Sequence, residues 1–274
     1  MNCPSDWPEP IVRVQSLSET GVFPDRYIKP PTQRPTPIFS NSDQATHTNI
    51  PTIDLRGLDH DHLRATTLGQ ISEACRDWGF FQVVNHGVSH GLMDRTQEVW
   101  RQFFHLPMEL KQAYANSPKT YEGYGSRLGV EKGAILDWSD YYFLHYLPLC
   151  LKDYDKWPAL PGYARVNFYP KCPQPDLTLG LSSHSDPGGM TVLSNATYKS
   201  VEHRVIVNPA KERLSLAFFY NPKSDIAIEP AKELVTPERP ALYPPMTFNE
   251  YRLYIRLNGP RGKSQVDSLK SPRK

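Results

Sequence analysis

The chain has 274 residues, with 31 Lys and Arg against 29 Asp and Glu, so its formal net charge is only +2. A chain of this length can bury one large core or two small ones. Charges of both signs are interspersed, which argues against a nucleic-acid-binding face. Cys3, Cys75, Cys150 and Cys172 are scattered, as in a reduced cytoplasmic protein, and form no disulfide framework or zinc motif. No apolar run is long enough to span a membrane, and residues 1–20 lack the apolar segment of a secretory signal.

Composition divides the chain into four segments. Residues 1–48 are rich in Pro, Ser and Thr, show little periodicity and are predicted to be mostly extended. Residues 49–160 carry helical and strand patterns, and 161–235 carry short strands separated by Pro and Gly turns. Residues 236–274 contain a last helix and a basic tail. Short strands with helices gathered outside them predict a mainly β, α+β fold of the sandwich or barrel type.

Two helices and two strands are predicted in the second segment. Ile50–Leu55 alternates weakly, as a short strand does, and residues 62–78 have a helical period that ends at Gly79. Phe80–Val84 predicts a second strand, closed by the turn Asn85–Gly87. Ser89 can cap a second helix that stops before Pro107. The apolar sides of the two helices are formed by Leu63, Leu68, Ile71 and Cys75, and by Leu92, Thr96, Val99 and Phe103.

The remaining segments contain a glycine-rich stretch, several short strands and one capped helix. Residues 117–134 are predicted to be a loop. Thr247 and Glu250 form a capping box for a helix from Phe248 to Leu257. Strands are predicted at Ala164–Tyr169, Leu177–Leu181, Met190–Leu193, Val201–Val207 and Leu214–Tyr220.

The most informative motif is His184-Ser185-Asp186, followed by His203. Two imidazoles and one carboxylate are the ligand set of the facial triad, which holds non-haem Fe(II) and leaves positions open for oxygen chemistry. Residues two apart on a strand point to one face, so the side chains of His184 and Asp186 would converge. Arg213 and Ser215 repeat this spacing and offer a guanidinium and a hydroxyl to a carboxylate.

Several motifs together resemble the plant-type Fe(II)/2-oxoglutarate-dependent dioxygenases. They cover most of residues 7–265, and their combination is highly specific. Within that family, residues 117–147 and the helix around Tyr251–Gly259 most resemble the jasmonate-hydroxylating oxygenases. The motifs are Ile50–Leu55, Ala74–Gly87, Asn167–Pro173, Ser183–Gly189 and Ser200–Val205.

The resemblance implies a double-stranded β-helix, the cupin-like jelly roll, with flanking helices. It implies an oxidoreductase that uses Fe(II), 2-oxoglutarate and O2 and is supported by ascorbate. His184, Asp186 and His203 would bind the metal. The 2-oxoglutarate would be bound at one end by Asn167 and Tyr169 and at its distal carboxylate by Arg213 and Ser215.

The same resemblance implies a small apolar carboxylic acid as substrate, jasmonic acid above all, held by Arg165, Arg252 and Arg256. Arg252 and Arg256 are four apart on the predicted last helix and share a face. Guanidinium groups suit planar carboxylate recognition. An arginine pair without other evidence is more often part of a solvated surface, which is the alternative for Arg252 and Arg256. A flavonoid or other specialised metabolite is the alternative substrate. The small molecule is the expected partner, without nucleic acid or membrane, and the oligomeric state stays open. The expected location is the cytoplasm, with the nucleus as an additional one.

Against this family pattern, the chain is internally shortened. Only 203 − 186 = 17 positions separate Asp186 from the second histidine, and Leu193 runs directly into the sequence that precedes that histidine in the family. A second junction lies between Leu160 and Arg165. About three middle strands of the barrel are expected to be absent, which exposes strand edges. A non-catalytic remnant of such an enzyme is therefore the alternative function.

Three further histidines are not expected to be ligands. His86 lies in a family signature but belongs to a predicted turn, and His105 and His145 lie outside the motif. A histidine without converging partners is more often a structural residue.

Overall fold

The computed structural model describes most of the chain. The described residues are 9–35, 49–118, 122–126, 132–145, 149, 152–158, 165–186, 189–258 and 267–270. They form two compact units, each discontinuous in sequence. The first is Met1–Ile38, Ser89–Ser182 and Arg204–Phe219, and the second is Phe39–Val88, Ser183–His203 and Tyr220–Lys274. The four segments 1–48, 49–160, 161–235 and 236–274 remain a prediction from the sequence.

Helices and strands alternate irregularly along the chain. The helices are α1 (Val14–Thr20), α2 (Asp61–Asp77), α3 (His90–Phe104), α4 (Met108–Gln112), α5 (Gly189–Leu193) and α6 (Phe248–Asn258). The strands are β1 (Thr52–Asp54), β2 (Gln82–Val84), β3 (Gly123–Gly125), β4 (Asp140–Phe143), β5 (Arg165–Tyr169), β6 (Leu181–Ser185), β7 (Glu202–Val205), β8 (Arg213–Ala217), β9 (Ala227–Ile228) and β10 (Met246–Thr247).

An antiparallel sheet of four strands, in the order β3-β4-β5-β8, organises the first unit. One face of β5 and β8 is apolar: Val166 and Phe168 are buried, and Leu214 and Leu216 pack against the same cluster. α3 covers this face with Trp100, Phe103 and Phe104, and the rings of Phe104 and Phe168 stack 4.6 Å apart. Full burial of each such side chain contributes about 1.5–3 kcal/mol. The opposite face is left for polar side chains.

The N-terminal segment contains a helix where extended chain was predicted. Val14 and Leu17 of α1 are buried with Tyr27 and Trp138 in a second cluster. The carboxylate of buried Asp140 accepts the backbone N–H groups of Val14 and Gln15 at 3.0 and 2.9 Å. A carboxylate at a helix N-terminus satisfies donors that have no partner within the helix. The helix is therefore fixed by a distant acid, which local periodicity could not indicate.

Both predicted helices of the second segment exist, but the predicted faces are only partly buried. Ser89 caps α3 as predicted, its hydroxyl accepting the N–H of Leu92 at 3.3 Å. Leu92 itself is exposed, and the buried face is formed by Trp100, Phe103 and Phe104. In α2 the predicted core residues Leu63 and Leu68 are exposed, whereas Thr67 and Ala74 are buried. Periodicity located both helices, but the predicted faces are buried only in part: Phe103 is buried, whereas Leu63, Leu68 and Leu92 are exposed.

Three strand or loop predictions were wrong. Leu177–Leu181 begins as a 3-10 turn, and strand β6 starts only at Leu181. Met190–Leu193 lies in α5, because a short apolar run fits a buried helix as well as a strand. The predicted loop 117–134 contains β3, where a Cβ on Gly125 would lie 2.5 Å from Cζ of Tyr141. That glycine is a close-packing residue of a strand.

The second unit has its own small core. Val192, Ile228 and Tyr243 are buried with Phe248 and Tyr251 of α6. The predicted capping box is confirmed: the N–H of Thr247 donates to the Glu250 carboxylate at 2.7 Å, and the N–H of Glu250 donates to Thr247 Oγ1 at 3.2 Å. In the described part of the chain, no helix has the length and apolar character needed to cross a membrane.

Candidate metal centre and cosubstrate face

His184, Asp186 and His203 come together in the structure. Each offers a ligand atom, and these atoms lie within 4.8 Å of one another. Nε2 of His184 is 3.5 Å, and Nε2 of His203 is 3.9 Å, from the same oxygen of Asp186. The His184 side chain is 14% exposed, whereas those of His203 and Asp186 are 40% and 51% exposed. Two neutral imidazoles and a carboxylate at this spacing fit a divalent iron ion and leave one side open.

Two paired strands produce this convergence. β6 carries His184 and β7 carries His203, and the two form a separate sheet. The N–H of Gly180 donates to the Val205 carbonyl at 2.8 Å, and the Ser183 hydroxyl donates to Glu202 at 2.6 Å. Gly180 is bonded to Val205 and Ser183 to Glu202, so the two strands run in opposite directions and the pairing is antiparallel. The short connection between the two ligand segments is therefore long enough for the strands to pair directly.

A backbone contact orients the His203 ring. Its Nδ1 lies 3.2 Å from the carbonyl oxygen of Val201. A proton on Nδ1 would donate to that oxygen and leave the lone pair of Nε2 directed towards Asp186. Such hydrogen bonds fix the tautomer and ring orientation of metal-binding histidines.

A buried ion pair holds the start of β6. The side chain of Lys29 is 2% exposed, and its Nζ donates to Asp137 at 2.7 Å and to the Ser182 hydroxyl at 2.9 Å. Ser182 in turn donates to the same Asp137 oxygen at 2.6 Å. Ser182 is two residues before His184 on β6, so the network fixes the strand that presents this imidazole. No local pattern in the sequence indicates this network, because Lys29, Asp137 and Ser182 are far apart in the chain.

The residues expected to bind 2-oxoglutarate are cross-strand neighbours on β5 and β8. Asn167 pairs with Ser215, and Tyr169 pairs with Arg213. The Arg213 guanidinium lies 5.3 Å from the centre of the Tyr169 ring. Burial raises the pKa of Tyr169, opposed by the charge of Arg213 and a hydrogen bond with Ser215. The four side chains thus form one polar patch on the sheet, here named the anion patch.

Arg165 adds a second cation to this face. It precedes Asn167 by two on β5, and its Nε donates to Asn167 Oδ1 at 3.4 Å. Its guanidinium lies 5.3 Å from the ring centre of Tyr141 on the neighbouring strand β4. The structure therefore places Arg165 beside the anion patch, and it adds Tyr141, which the sequence reasoning missed.

Arg252 and Arg256 lie on α6 as predicted, but their side chains are outside the described part of the chain. Their neighbour Tyr251 is buried. Burial raises the pKa of Tyr251 to about 12, with smaller contributions from Tyr243 and from the charge of Asp186.

The three further histidines that were not expected to be ligands have partners of their own. Nδ1 of His86 accepts the N–H of Val88 at 3.3 Å and closes the predicted turn. His105 contacts Glu212 at 3.0 Å, and His145 contacts the buried carboxylate of Glu122 at 3.1 Å. Within the described residues, the group suited to a metal is the one formed by His184, Asp186 and His203.

Fold and site together define a non-haem iron oxygenase, and the chain belongs to the 2OG-Fe(II) oxygenase superfamily. The model of that superfamily matches residues 162–195 and 189–222. Residues 50–160 match the N-terminal domain model described as non-haem dioxygenase in morphine synthesis. The cupin-like jelly roll with flanking helices is the fold of this family, as the sequence predicted.

Among the proteins similar to this chain are jasmonate-induced oxygenases and a flavanone dioxygenase. Jasmonate-induced oxygenase 3 of Arabidopsis thaliana is 51% identical, and the alignment covers all of both chains. The crystal structure of JOX2 in complex with 2OG, Fe and JA matches with a TM-score of 0.87 at 49% identity, covering 97% of this chain and all of that chain. Flavanone 3-dioxygenase 2 of Oryza sativa subsp. japonica is 31% identical, with 86% and 91% of the two chains covered.

The comparisons also support an internally shortened chain. The alignment with Jasmonate-induced oxygenase 3 has 363 positions against 274 residues here, so at least 363 − 274 = 89 positions have no counterpart. The superfamily model matches in two pieces that meet at 189–195, where the junction after Leu193 was predicted. Just after it, Asn195 and Ala196 have φ of 49° and 61°. For alanine this left-handed backbone costs about 1–2 kcal/mol. The other predicted junction lies outside the described residues.

Proposed function

We propose that this chain is an Fe(II)- and 2-oxoglutarate-dependent dioxygenase that hydroxylates a small apolar carboxylic acid, jasmonic acid in particular. The observation that carries the proposal is the convergence of His184, Asp186 and His203 in a chain that also presents the anion patch. In this proposal the three residues hold Fe(II). When bound, the iron couples the oxidative decarboxylation of 2-oxoglutarate by O2 to hydroxylation of a substrate C–H bond.

The side chains of the anion patch have separate tasks in this proposal. Arg213 and Ser215 neutralise and position the distal carboxylate of 2-oxoglutarate, a contact for which a planar guanidinium is suited. Asn167 and Tyr169 donate hydrogen bonds to its other end. His203 keeps its proton on Nδ1 through Val201, so that Nε2 stays available to the metal. The protein contributes binding, orientation and electrostatics, and the oxidation belongs to the metal.

Substrate recognition rests on the arginines. Arg165, Arg252 and Arg256 are proposed to hold the substrate carboxylate. Jasmonate-induced oxygenase 3 is identical to this chain at 51% of the 363 aligned positions, and JOX2 was crystallised with JA, which supports jasmonic acid over a flavonoid. We further propose a cytoplasmic or nuclear location and support of turnover by ascorbate.

The test compares jasmonic acid with its methyl ester. Succinate formation from 2-oxoglutarate is measured with the 274-residue chain and with a restored version, in which the missing positions are inserted from a full-length relative. Omission of Fe(II) is the control for both. The proposal expects Fe(II)-dependent succinate that rises with the acid and much less with the ester. Equal turnover of acid and ester would contradict binding of the substrate carboxylate by the three arginines, here named the carboxylate clamp. Faster turnover of a flavonoid than of the acid would show that the substrate is a flavonoid.

A non-catalytic remnant is the second candidate, because at least 89 aligned positions are missing. It predicts that the restored version forms succinate and that the 274-residue chain forms none at any Fe(II) concentration. Metal binding without succinate formation in the shortened chain would favour this candidate.

A further inference from the structure

The ring of Tyr141 packs against the guanidinium of Arg165, and its position is fixed by Asn116 and Gly125. The side chain of Tyr141 is buried, on strand β4. Its backbone pairs with Asn167 of β5, so the two residues lie side by side in the sheet. The Arg165 guanidinium is 5.3 Å from the ring centre, inside the range of a cation–π contact.

The hydroxyl end of Tyr141 is held by a second residue. Nδ2 of Asn116 donates to the Tyr141 hydroxyl oxygen at 2.7 Å, and Asn116 is itself buried. Asn116 is fixed by its backbone, whose N–H donates to the Tyr124 carbonyl of strand β3 at 2.9 Å. The hydrogen bond from the buried Asn116 amide thus fixes the position of the Tyr141 phenol.

A glycine opens the space that the ring occupies. A Cβ on Gly125 would lie 2.5 Å from Cζ and 2.7 Å from the hydroxyl oxygen of Tyr141. Those distances are far inside van der Waals contact, so any side chain at position 125 would move the ring. Gly125 sits opposite Tyr141 in the β3–β4 ladder.

From this geometry we propose that Tyr141 is a positioning residue that aims the guanidinium of Arg165 at the substrate carboxylate. The inference rests on the proposed function for the role of Arg165, and deepens it. Arginine side chains lose much rotamer freedom when they are fixed. An aromatic platform below the guanidinium and Asn167 Oδ1 at 3.4 Å beside it restrict that freedom before the acid binds. Preorganisation of this kind lowers the cost of binding.

The first experiment reads the position of Arg165 without any substrate. The side-chain Nε–H resonance of Arg165 is recorded by NMR in the 274-residue chain and assigned by its loss in Arg165→Lys. We expect a ring-current shift that persists in Tyr141→Phe, which keeps the ring, and disappears in Tyr141→Leu. Gly125→Ala, which displaces the ring without removing it, should move the resonance in the same direction. An unchanged resonance in both Tyr141→Leu and Gly125→Ala would overturn the proposal.

The second experiment measures affinity with oxygen excluded, using Mn(II), 2-oxoglutarate and either jasmonic acid or its methyl ester. Tyr141→Leu should weaken binding of the acid by about five- to thirtyfold, as expected for loss of a cation–π contact made by a partly buried arginine. Binding of the ester should change little, and Tyr141→Leu should have no further effect in an Arg165→Ala background. A purely structural role predicts equal losses for acid and ester, and that result would overturn the proposal.

The two experiments separate this inference from the proposed function. If Arg165→Ala leaves the affinity for the acid unchanged, the carboxylate clamp is wrong, and the NMR shift alone then decides whether Tyr141 positions Arg165. Tyr141→Phe provides a further distinction. It removes the buried hydrogen bond from Asn116, so its midpoint of denaturant unfolding should fall, while its affinity for the acid stays near that of the parent.

Discussion

At the scale of single residues, the candidate metal centre is well formed but open. Each of its three ligands can be assigned a definite atom, and the carboxylate of Asp186 lies within 4 Å of both imidazoles. Half of the Asp186 side chain is nevertheless exposed. Exposure affects water exclusion more than ligation, so metal binding should survive in this chain even if turnover is weak.

Replacing one ligand should therefore have a clear effect on metal affinity. His184→Ala should weaken Fe(II) binding by at least about tenfold, since loss of even an outer partner of a metal ligand costs that much. Titration with oxygen excluded measures it. His105→Ala is the matched control, because His105 is exposed and contacts Glu212 rather than the triad. Unchanged Fe(II) affinity in a folded His184→Ala sample would contradict the assignment.

The anion patch carries the second residue-scale prediction. Losing a charged contact to a carboxylate costs about 2–5 kcal/mol where the pair is buried. Arg213 is exposed in this structure, so we expect Arg213→Ala to raise the Kd for 2-oxoglutarate by about thirtyfold, the low end of that range. Ser215→Ala should have a smaller effect. The control is exposed Arg95→Ala; if Arg95 and Arg213 behaved alike, the assignment of Arg213 would be wrong.

At the scale of elements, the anchor of β6 is the contact whose loss we expect to matter most. Asp137→Ala would leave Lys29 charged and buried without its carboxylate. Removal of one partner of a buried ion pair costs about 3–5 kcal/mol. Denaturant unfolding followed by circular dichroism measures this. In the control, Asp225→Ala breaks the exposed Lys223–Asp225 pair and should change the free energy of unfolding little, because exposed pairs are screened by solvent. Similar losses in both variants would show that the buried network does not hold the strand.

The elements that could be read from the sequence are those whose signal is local. The i, i+2 spacing of His184 and Asp186, and the capping box of Thr247 and Glu250, both depend on a few neighbouring residues, and the structure has them as expected. α1 was missed because its N-terminus is satisfied by Asp140, more than a hundred residues away. The Lys29 network and the contact between Tyr141 and Arg165 were missed for the same reason, since residues distant in sequence create them.

At the scale of the whole molecule, the shortened chain leaves apolar surface uncovered. Leu63 and Leu68 of α2 are exposed, although their helical period predicted a buried face, and Val83 and Val84 of β2 are exposed as well. Phe218 and Tyr220, which follow β8, are 61% and 97% exposed. β8 is also the last strand of its sheet, with β5 as its neighbour on one side. Exposed apolar clusters favour association, and open strand edges can pair with another chain.

We therefore expect the 274-residue chain to be poorly soluble and to show at most a small fraction of the activity of a restored version. Expression of both forms side by side, with light scattering, denaturant unfolding and succinate formation, tests this. Leu63→Lys with Leu68→Glu on the exposed side of α2 should raise the solubility of the short form, because neither side chain is buried there. The same pair should destabilise the restored form if its added residues cover α2. A short form that is monomeric, unfolds cooperatively and matches the restored rate would mean that the missing positions are dispensable for folding and catalysis.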